Sequence, residues 1–152
     1  MQNQAGSASP AAKPLSRPLR ILVVDDDPGI RALCAAVLTA DGFEVTEAEN
    51  GKEGFAHALS LAPDLVLLDV SMPILDGFGL AVALRQDERT RELPIVFISG
   101  DAEPEIETRA YDVGALAFFA KPFEPSVLTE FVNRVLEPFR TVRAASRRDV
   151  TG

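Results

Sequence analysis

Two short apolar segments of this sequence each end in carboxylates. Residues 21–24 (ILVV) are followed by Asp25 and Asp26, and residues 65–68 (LVLL) are followed by Asp69. Three carboxylates brought together repel one another, and each pair about 4 Å apart costs on the order of 4 kcal/mol at an effective dielectric near 20. A divalent cation removes that repulsion, and an all-oxygen, partly hydrated site suits Mg²⁺.

A magnesium ion among carboxylates also makes a phosphate site, because the metal screens the acids and coordinates phosphoryl oxygens. One carboxylate can then attack phosphorus and form an acyl phosphate. Two further apolar segments end in Ser99 and Lys121. A hydroxyl and an ammonium are suited to hold the remaining phosphoryl oxygens.

The segments that carry these side chains alternate strictly between strand and helix. The alternation predicts an α/β fold with five parallel strands and helices on both faces of the sheet. The carboxyl ends of parallel strands lie at one edge, which is where such sheets bind ligands. We expect strands near 21–24, 43–47, 65–69, 94–98 and 115–119, and helices near 28–41, 51–62, 74–86, 103–113 and from 125 onward.

Local signals support these assignments. Asp27 before Pro28 is suited to cap the first helix, and Asn50 with Glu53 has the spacing of a capping box. Cys34 falls on the apolar face of the first helix, so we interpret it as a core residue. We interpret His57 as a surface residue of the second helix.

Composition restricts the class of protein. The chain has 152 residues, 47% of them hydrophobic and 25% charged, which is typical of one globular domain. It has one cysteine and one histidine, so an internal disulfide is excluded. No segment resembles a signal peptide or a membrane span, and we expect a cytoplasmic protein without membrane contact.

The net charge of −8 is concentrated away from the two ends, which are both basic. An acidic body argues against direct binding of nucleic acid. Residues 1–19 are rich in Ala, Ser and Pro, and we expect a disordered lead-in. We expect one domain at 20–138 and a basic tail at 139–152, with no output domain.

With these residues in place, the chain resembles the receiver domain of two-component response regulators. The matching motifs are ILVVDDDP, LVLLDVSMPILDG, IVFISG and FFAKPF, which occur in this order within 21–137. The resemblance implies a flavodoxin-like, doubly wound (βα)5 fold with strand order 2-1-3-4-5.

The resemblance also implies roles for the acidic residues. Asp69 matches the phosphoacceptor, and Asp26 matches a direct Mg²⁺ ligand. Asp25 matches the acid that assists through water, and Ser71 matches the residue whose backbone carbonyl binds the metal. The loop after the phosphoacceptor is shaped in this family by residues that match Met72, Pro73 and Gly77.

Ser99 and Lys121 match the residues that hold the phosphoryl group, and Phe118 matches the aromatic switch. Serine replaces the commoner threonine at 99, and phenylalanine replaces tyrosine at 118, so position 118 offers no hydroxyl to a partner. Asp101 is placed to orient water for hydrolysis of the acyl phosphate, or else to cap the fourth helix.

The function implied is a stand-alone phosphorylation switch rather than an enzyme. A histidine kinase or a phosphotransfer protein would phosphorylate Asp69 with Mg²⁺. The fourth helix, fifth strand and fifth helix, about 102–137, would then change as a face that binds a downstream protein. Self-phosphorylation from small donors and autodephosphorylation would be its only catalysis.

Two alternatives remain from the sequence. Asp25 and Asp27 have the Asp-x-Asp spacing of a haloacid-dehalogenase-type phosphatase, a Mg²⁺ enzyme in which Asp25 would be the nucleophile. A receiver-like adaptor that no longer signals would instead bind its partner equally well without Asp69.

Overall fold

Five parallel strands form a single sheet in the order β2-β1-β3-β4-β5, which confirms the expected topology. The computed structural model describes residues 17–151, and their side chains through residue 139. The elements are β1 Arg20–Val24, α1 Pro28–Ala40, β2 Glu44–Ala48, α2 Gly51–Leu61, β3 Leu65–Asp69, α3 Gly77–Gln86, β4 Ile95–Ser99, α4 Pro104–Asp112, β5 Ala117–Ala120 and α5 Pro125–Thr151.

The sheet separates two hydrophobic clusters because successive side chains of a strand point to opposite faces. In β1, Leu22 and Val24 belong to the cluster that contains residues of α2, α3 and α4. Ile21 and Val23 belong to the other cluster, with residues of α1 and α5. The apolar strands thus anchor the loops that carry the polar side chains.

Two of the helix starts follow the capping signals in the sequence. The Asp27 carboxylate accepts hydrogen bonds from the backbone N–H groups of Gly29 (2.8 Å) and Ile30 (3.4 Å). Asn50 accepts one from Glu53 at 2.8 Å. Cys34 is fully buried in α1, as expected, and burial raises its pKa to about 11.

The third helix starts later than predicted. It begins at Gly77 instead of Ile74, because the Asp76 carboxylate accepts from the backbone N–H of Gly79 and caps the helix there. Ile74 lies in the preceding loop with φ 73°, and the Leu75 N–H donates to the Pro73 carbonyl at 2.8 Å. The loop between β3 and α3 therefore contains a γ-turn at Ile74.

The amino end of the domain differs from the expected lead-in. Residues 1–16 of the expected lead-in lie outside the described residues, and residues 17–19 belong to the described part. Leu19 is buried in the core, and the Arg17 guanidinium forms an ion pair with Asp64 at 3.1 Å. The structured part of the chain thus begins before residue 20.

The last helix starts at Pro125 as predicted. It continues through Pro138 to Thr151, into the segment that we expected to form a basic tail. A proline inside a helix removes one backbone hydrogen bond and crowds the carbonyl four residues earlier, so it favours a kink or an end at that point. The boundary between a domain and a tail at 138–139 stays a prediction. No helix within 17–151 combines the length and apolar character needed to cross a membrane.

Candidate phosphoacceptor site

Three carboxylates converge at the carboxyl edge of the sheet. Oxygen atoms of Asp25, Asp26 and Asp69 all lie within 4.8 Å of one another. Asp25 follows β1 and Asp69 ends β3, and these neighbouring strands pair in parallel. Asp25 and Asp69 are buried, with 2% and 5% exposure, whereas Asp26 is exposed to solvent. The cluster therefore has a buried floor and an open side.

Lys121 supplies the positive charge of the site. Its ammonium lies 2.9 Å from Asp25 Oδ2 and 3.6 Å from Asp69 Oδ1. Burial alone would lower the pKa of Lys121, but its hydrogen bond to Asp25 and the two negative charges raise it. The lysine therefore stays protonated and serves as the internal counter-ion of the carboxylates.

One lysine does not neutralise three carboxylates. Burial and the charge of Asp25 raise the pKa of Asp69 well above its usual range, and Lys121 only partly offsets this. When all three carboxylates are ionised, they and the lysine carry a net charge of −2, and the donor atoms are all oxygen. Charge and donor set both fit a hard divalent cation such as Mg²⁺.

Asp25 is fixed in place by contacts of both its carboxylate and its carbonyl. One carboxylate oxygen binds Lys121, and the other accepts from the Asp27 backbone N–H at 2.9 Å. The Arg31 guanidinium donates to the Asp25 carbonyl at 2.7 Å and reaches Glu47 at 3.3 Å. The role of Arg31 was not predicted, because an arginine on a helix carries no local signal of a contact with a neighbouring strand.

Ser99 ends β4 at the same edge and is 1% exposed. Its hydroxyl donates to the Asp101 carbonyl and accepts from the Asp101 N–H, each at 3.0 Å. The Asp101 carboxylate accepts from the Glu103 N–H at 3.3 Å. Glu103, and not Asp101, occupies the cap position of α4, so the capping alternative placed the helix start too early.

Phe118 lies on β5 beside Phe97 of β4 and packs, half-buried, against the cluster of α2, α3 and α4. Phe119 points to the other face, where its ring meets that of Phe131 at 5.5 Å. Ser71 lies in the loop after β3 with its side chain exposed. The roles assigned to Phe118 and to the Ser71 carbonyl stay predictions.

The parallel sheet and the acid–lysine cluster at its carboxyl edge define a protein class, that of single α/β domains built to accept phosphate on an aspartate. Residues 21–133 match the family described as the response regulator receiver domain. The chain belongs to this family, and it is a phosphoacceptor signalling domain of two-component systems.

Relatives of known identity agree with this assignment. The chain is 34% identical over 117 residues to protein PilH of Pseudomonas aeruginosa, covering 77% of this chain and 97% of PilH. It is 36% identical over 117 residues to the transcriptional regulator RpaA of Synechocystis, covering 77% of this chain and 48% of RpaA. This chain thus spans about half the length of RpaA, and 16% of the gliding motility regulatory protein of Myxococcus xanthus, to which it is 37% identical.

Solved structures show the same likeness. The chemotaxis protein CheY4 of Vibrio cholerae superposes with a TM-score of 0.74 at 32% identity, covering 79% of this chain and 100% of CheY4. The phosphatase alternative is not favoured by these matches. The contacts of Asp25 also argue against a phosphatase. That alternative needs Asp25 as the nucleophile, and its two carboxylate oxygens are already bound by Lys121 and the Asp27 N–H.

Proposed function

We propose that Asp69 accepts a phosphoryl group from the phosphohistidine of a histidine kinase or a phosphotransfer protein. A carboxylate oxygen of Asp69 attacks phosphorus, the bond between phosphorus and the imidazole nitrogen breaks, and the imidazole leaves. The product is an acyl phosphate on Asp69. The observation that carries this proposal is the position of Asp69 at the end of β3, in a cluster with Asp25 and Asp26 and 3.6 Å from the Lys121 ammonium.

We assign the metal site to the same cluster. Asp26, Asp69 and the Ser71 carbonyl would bind Mg²⁺ directly, and Asp25 would assist through water. The bound ion would neutralise the carboxylates and coordinate the phosphoryl oxygens. The exposure of Asp26 supports this division, because its carboxylate lies at the open side while Asp25 is held by Lys121 and Asp27.

Lys121 and Ser99 hold the oxygens of the transferred group in this proposal. Lys121 would exchange its close contact with Asp25 for the phosphoryl group on Asp69. The Ser99 hydroxyl would leave its two hydrogen bonds with the backbone of Asp101. The Asp101 carboxylate is exposed two residues beyond Ser99, where it would orient water for hydrolysis.

The signal leaves the site through the face formed by α4, β5 and α5. Movement of Ser99 would free space for Phe118, which is half-buried and can turn further inward. Tyr111, Leu116 and Val127 expose between 46% and 48% of their surface on or beside these elements. Exposed apolar side chains of this kind support a protein as the downstream partner.

Phosphorylation from a small donor tests the assignment of Asp69. Incubation with acetyl phosphate and Mg²⁺ is expected to add one phosphoryl group, detected by intact mass. EDTA and the variant Asp69→Asn should each prevent the addition. Asp27→Asn is the matched control, because Asp27 is exposed, caps α1 and lies outside the acid cluster. Modification of Asp69→Asn at the wild-type rate would refute the proposal.

A further inference from the structure

The loop between β3 and α3 rests on the first residue of α2. A Cβ atom placed on Gly51 would lie 2.2 Å from the Leu75 carbonyl oxygen and 2.8 Å from the Leu75 Cβ. The three nearest heavy atoms around that position all belong to Leu75. Gly51 is itself buried. Helix α2 thus meets the loop by a backbone-to-backbone contact that only glycine permits.

Backbone conformation does not explain this glycine. Positive φ angles occur at Gly42 and Gly114 among the described glycines, and Gly51 is not one of them. Its position as the first residue of α2 is one that other residues adopt readily, and glycine favours helix less than alanine does. The reason for glycine at 51 is therefore the space that Leu75 occupies.

Two backbone hydrogen bonds hold this loop together, so a displacement of Leu75 would also move the neighbouring loop residues. The Leu75 N–H donates to Pro73 across the γ-turn, and the Gly77 N–H donates to the Val70 carbonyl at 2.8 Å. Ile74 is a β-branched residue at φ 73°, a conformation that costs on the order of 1–3 kcal/mol and persists only where the surroundings enforce it. Gly51 provides that support from outside the loop.

We infer that Gly51 is a positioning residue for the metal site, acting through Leu75 on the Ser71 carbonyl. The inference rests on the proposed function, in which that carbonyl binds Mg²⁺. A methyl group at 51 would force Leu75 back by roughly 1 Å to reach ordinary van der Waals separation. Mg²⁺ requires near-ideal octahedral geometry at about 2.0–2.1 Å. A carbonyl carried along with Leu75 would no longer meet that requirement.

Gly54 offers a matched control on the same helix. A Cβ there would lie 3.0 Å from the two Cγ atoms of Val24 and 3.1 Å from a Leu80 methyl group, and none of these three nearest atoms belongs to the loop. Gly79 offers a second control. Its Cβ would lie 2.7 Å from the flexible end of the Leu75 side chain and 3.3 Å from the Asp76 carboxylate, and its three nearest atoms include no backbone atom of Leu75. The same Gly→Ala change therefore probes three distinct contacts.

The experiment measures Mg²⁺ affinity by isothermal titration calorimetry, with thermal unfolding in EDTA as a separate measure of the fold. Gly51→Ala is expected to weaken Mg²⁺ binding at least fivefold and to shift the amide resonances of 70–77 in NMR spectra. Gly54→Ala and Gly79→Ala should stay within twofold of the wild-type dissociation constant, whatever their melting temperatures.

A folded Gly51→Ala with wild-type Mg²⁺ affinity would overturn the inference and leave the proposed function intact. If Gly51→Ala does not fold, Leu75→Gly replaces it, because it removes the Leu75 Cβ that lies against Gly51 and should also weaken Mg²⁺ binding several-fold. Leu75→Ala keeps that Cβ and is its control, and wild-type affinity in Leu75→Gly would overturn the inference. Failure of the wild-type protein to bind Mg²⁺ would overturn both this inference and the metal site of the proposed function.

Discussion

Lys121 lies closer to Asp25 than to Asp69, with its ammonium 2.9 Å from the former carboxylate and 3.6 Å from the latter. The lysine thus occupies the space between the carboxyl ends of β1, β3 and β5. The ammonium contacts two carboxylates of the proposed metal site, so the lysine and Mg²⁺ compete for the negative charge of Asp25 and Asp69.

Replacing Lys121 by methionine should separate two effects of the lysine, its stabilisation of the metal-free fold and its competition with Mg²⁺. Without Mg²⁺, Lys121→Met is expected to destabilise the fold by about 1–3 kcal/mol, because Asp25 loses a charge-assisted hydrogen bond in a buried position. Mg²⁺ binding should become tighter, because the competing cation is gone. Chemical unfolding in EDTA measures the stability, and calorimetry measures the Mg²⁺ affinity.

Lys121→Arg keeps the positive charge and is the control. Weaker Mg²⁺ binding in Lys121→Met than in wild type would contradict the competition.

Removing the charge of Asp26 should stabilise the protein without metal. Asp26→Asn relieves repulsion with Asp25 and Asp69, and since Asp26 is exposed we expect a gain of about 1 kcal/mol rather than the larger value for a buried pair. Mg²⁺ should raise the melting temperature of this variant much less than that of wild type, since the stabilisation follows from binding.

Asp27→Asn is the matched control for Asp26→Asn. It removes one charge from the next residue, and asparagine keeps the cap of α1. Its response to Mg²⁺ should equal that of wild type. If the metal-free Asp26→Asn protein melts clearly below wild type, Asp26 is a structural hydrogen-bonding group and the repulsion argument is wrong.

Ser99→Ala should uncouple the site from the rest of the domain. Asp69 should still accept phosphate, because the acids and Lys121 remain. Chemical-shift changes at Phe118 on addition of the phosphate mimic beryllofluoride should largely vanish, because no hydroxyl is left to move toward the mimic. NMR spectra of both proteins with and without beryllofluoride provide the measurement. Distal shifts that persist in Ser99→Ala would rule out this route to Phe118.

Asp101→Ala should lengthen the lifetime of the acyl phosphate several-fold. The carboxylate contributes little to the helix, because it makes one long hydrogen bond to Glu103 and does not occupy the cap of α4. The melting temperature should therefore stay close to wild type. The decay of phosphorylated protein after removal of the donor measures the lifetime. An unchanged decay rate would remove Asp101 from the hydrolysis step.

The convergence of the acids with Lys121 was predictable because it depends on topology alone. Strictly alternating strands and helices imply parallel strands, and parallel strands bring their carboxyl ends to one edge. Asp25, Asp69 and Lys121 needed only to be placed at strand ends. The pairing of Lys121 with Asp25 was not predictable, because it depends on distances of a few ångströms between side chains of different strands.

Other features depend on contacts between segments distant in sequence. Nothing local to Gly51 indicates that a carbonyl lies against it, and nothing around Leu19 indicates that it enters the core. The start of α3 was misplaced for a different reason. Asp76 is a suitable cap for a helix that begins at Gly77. The apolar residues Ile74 and Leu75 just before it also fit the helical pattern, so the predicted helix extended into the loop.

The ion pair between Arg17 and Asp64 fixes the position of residue 17, the first described residue, relative to the sheet. It lies at the amino edge of the sheet, one five-residue strand, or about 16 Å, away from the acids. Helix α5 starts beyond the carboxyl end of β5 and packs beside α1, so it runs back toward that same amino edge. A biosensor chip or fluorescent probe attached at residue 17 itself would therefore lie at the amino edge of the sheet, opposite the edge that carries the acids.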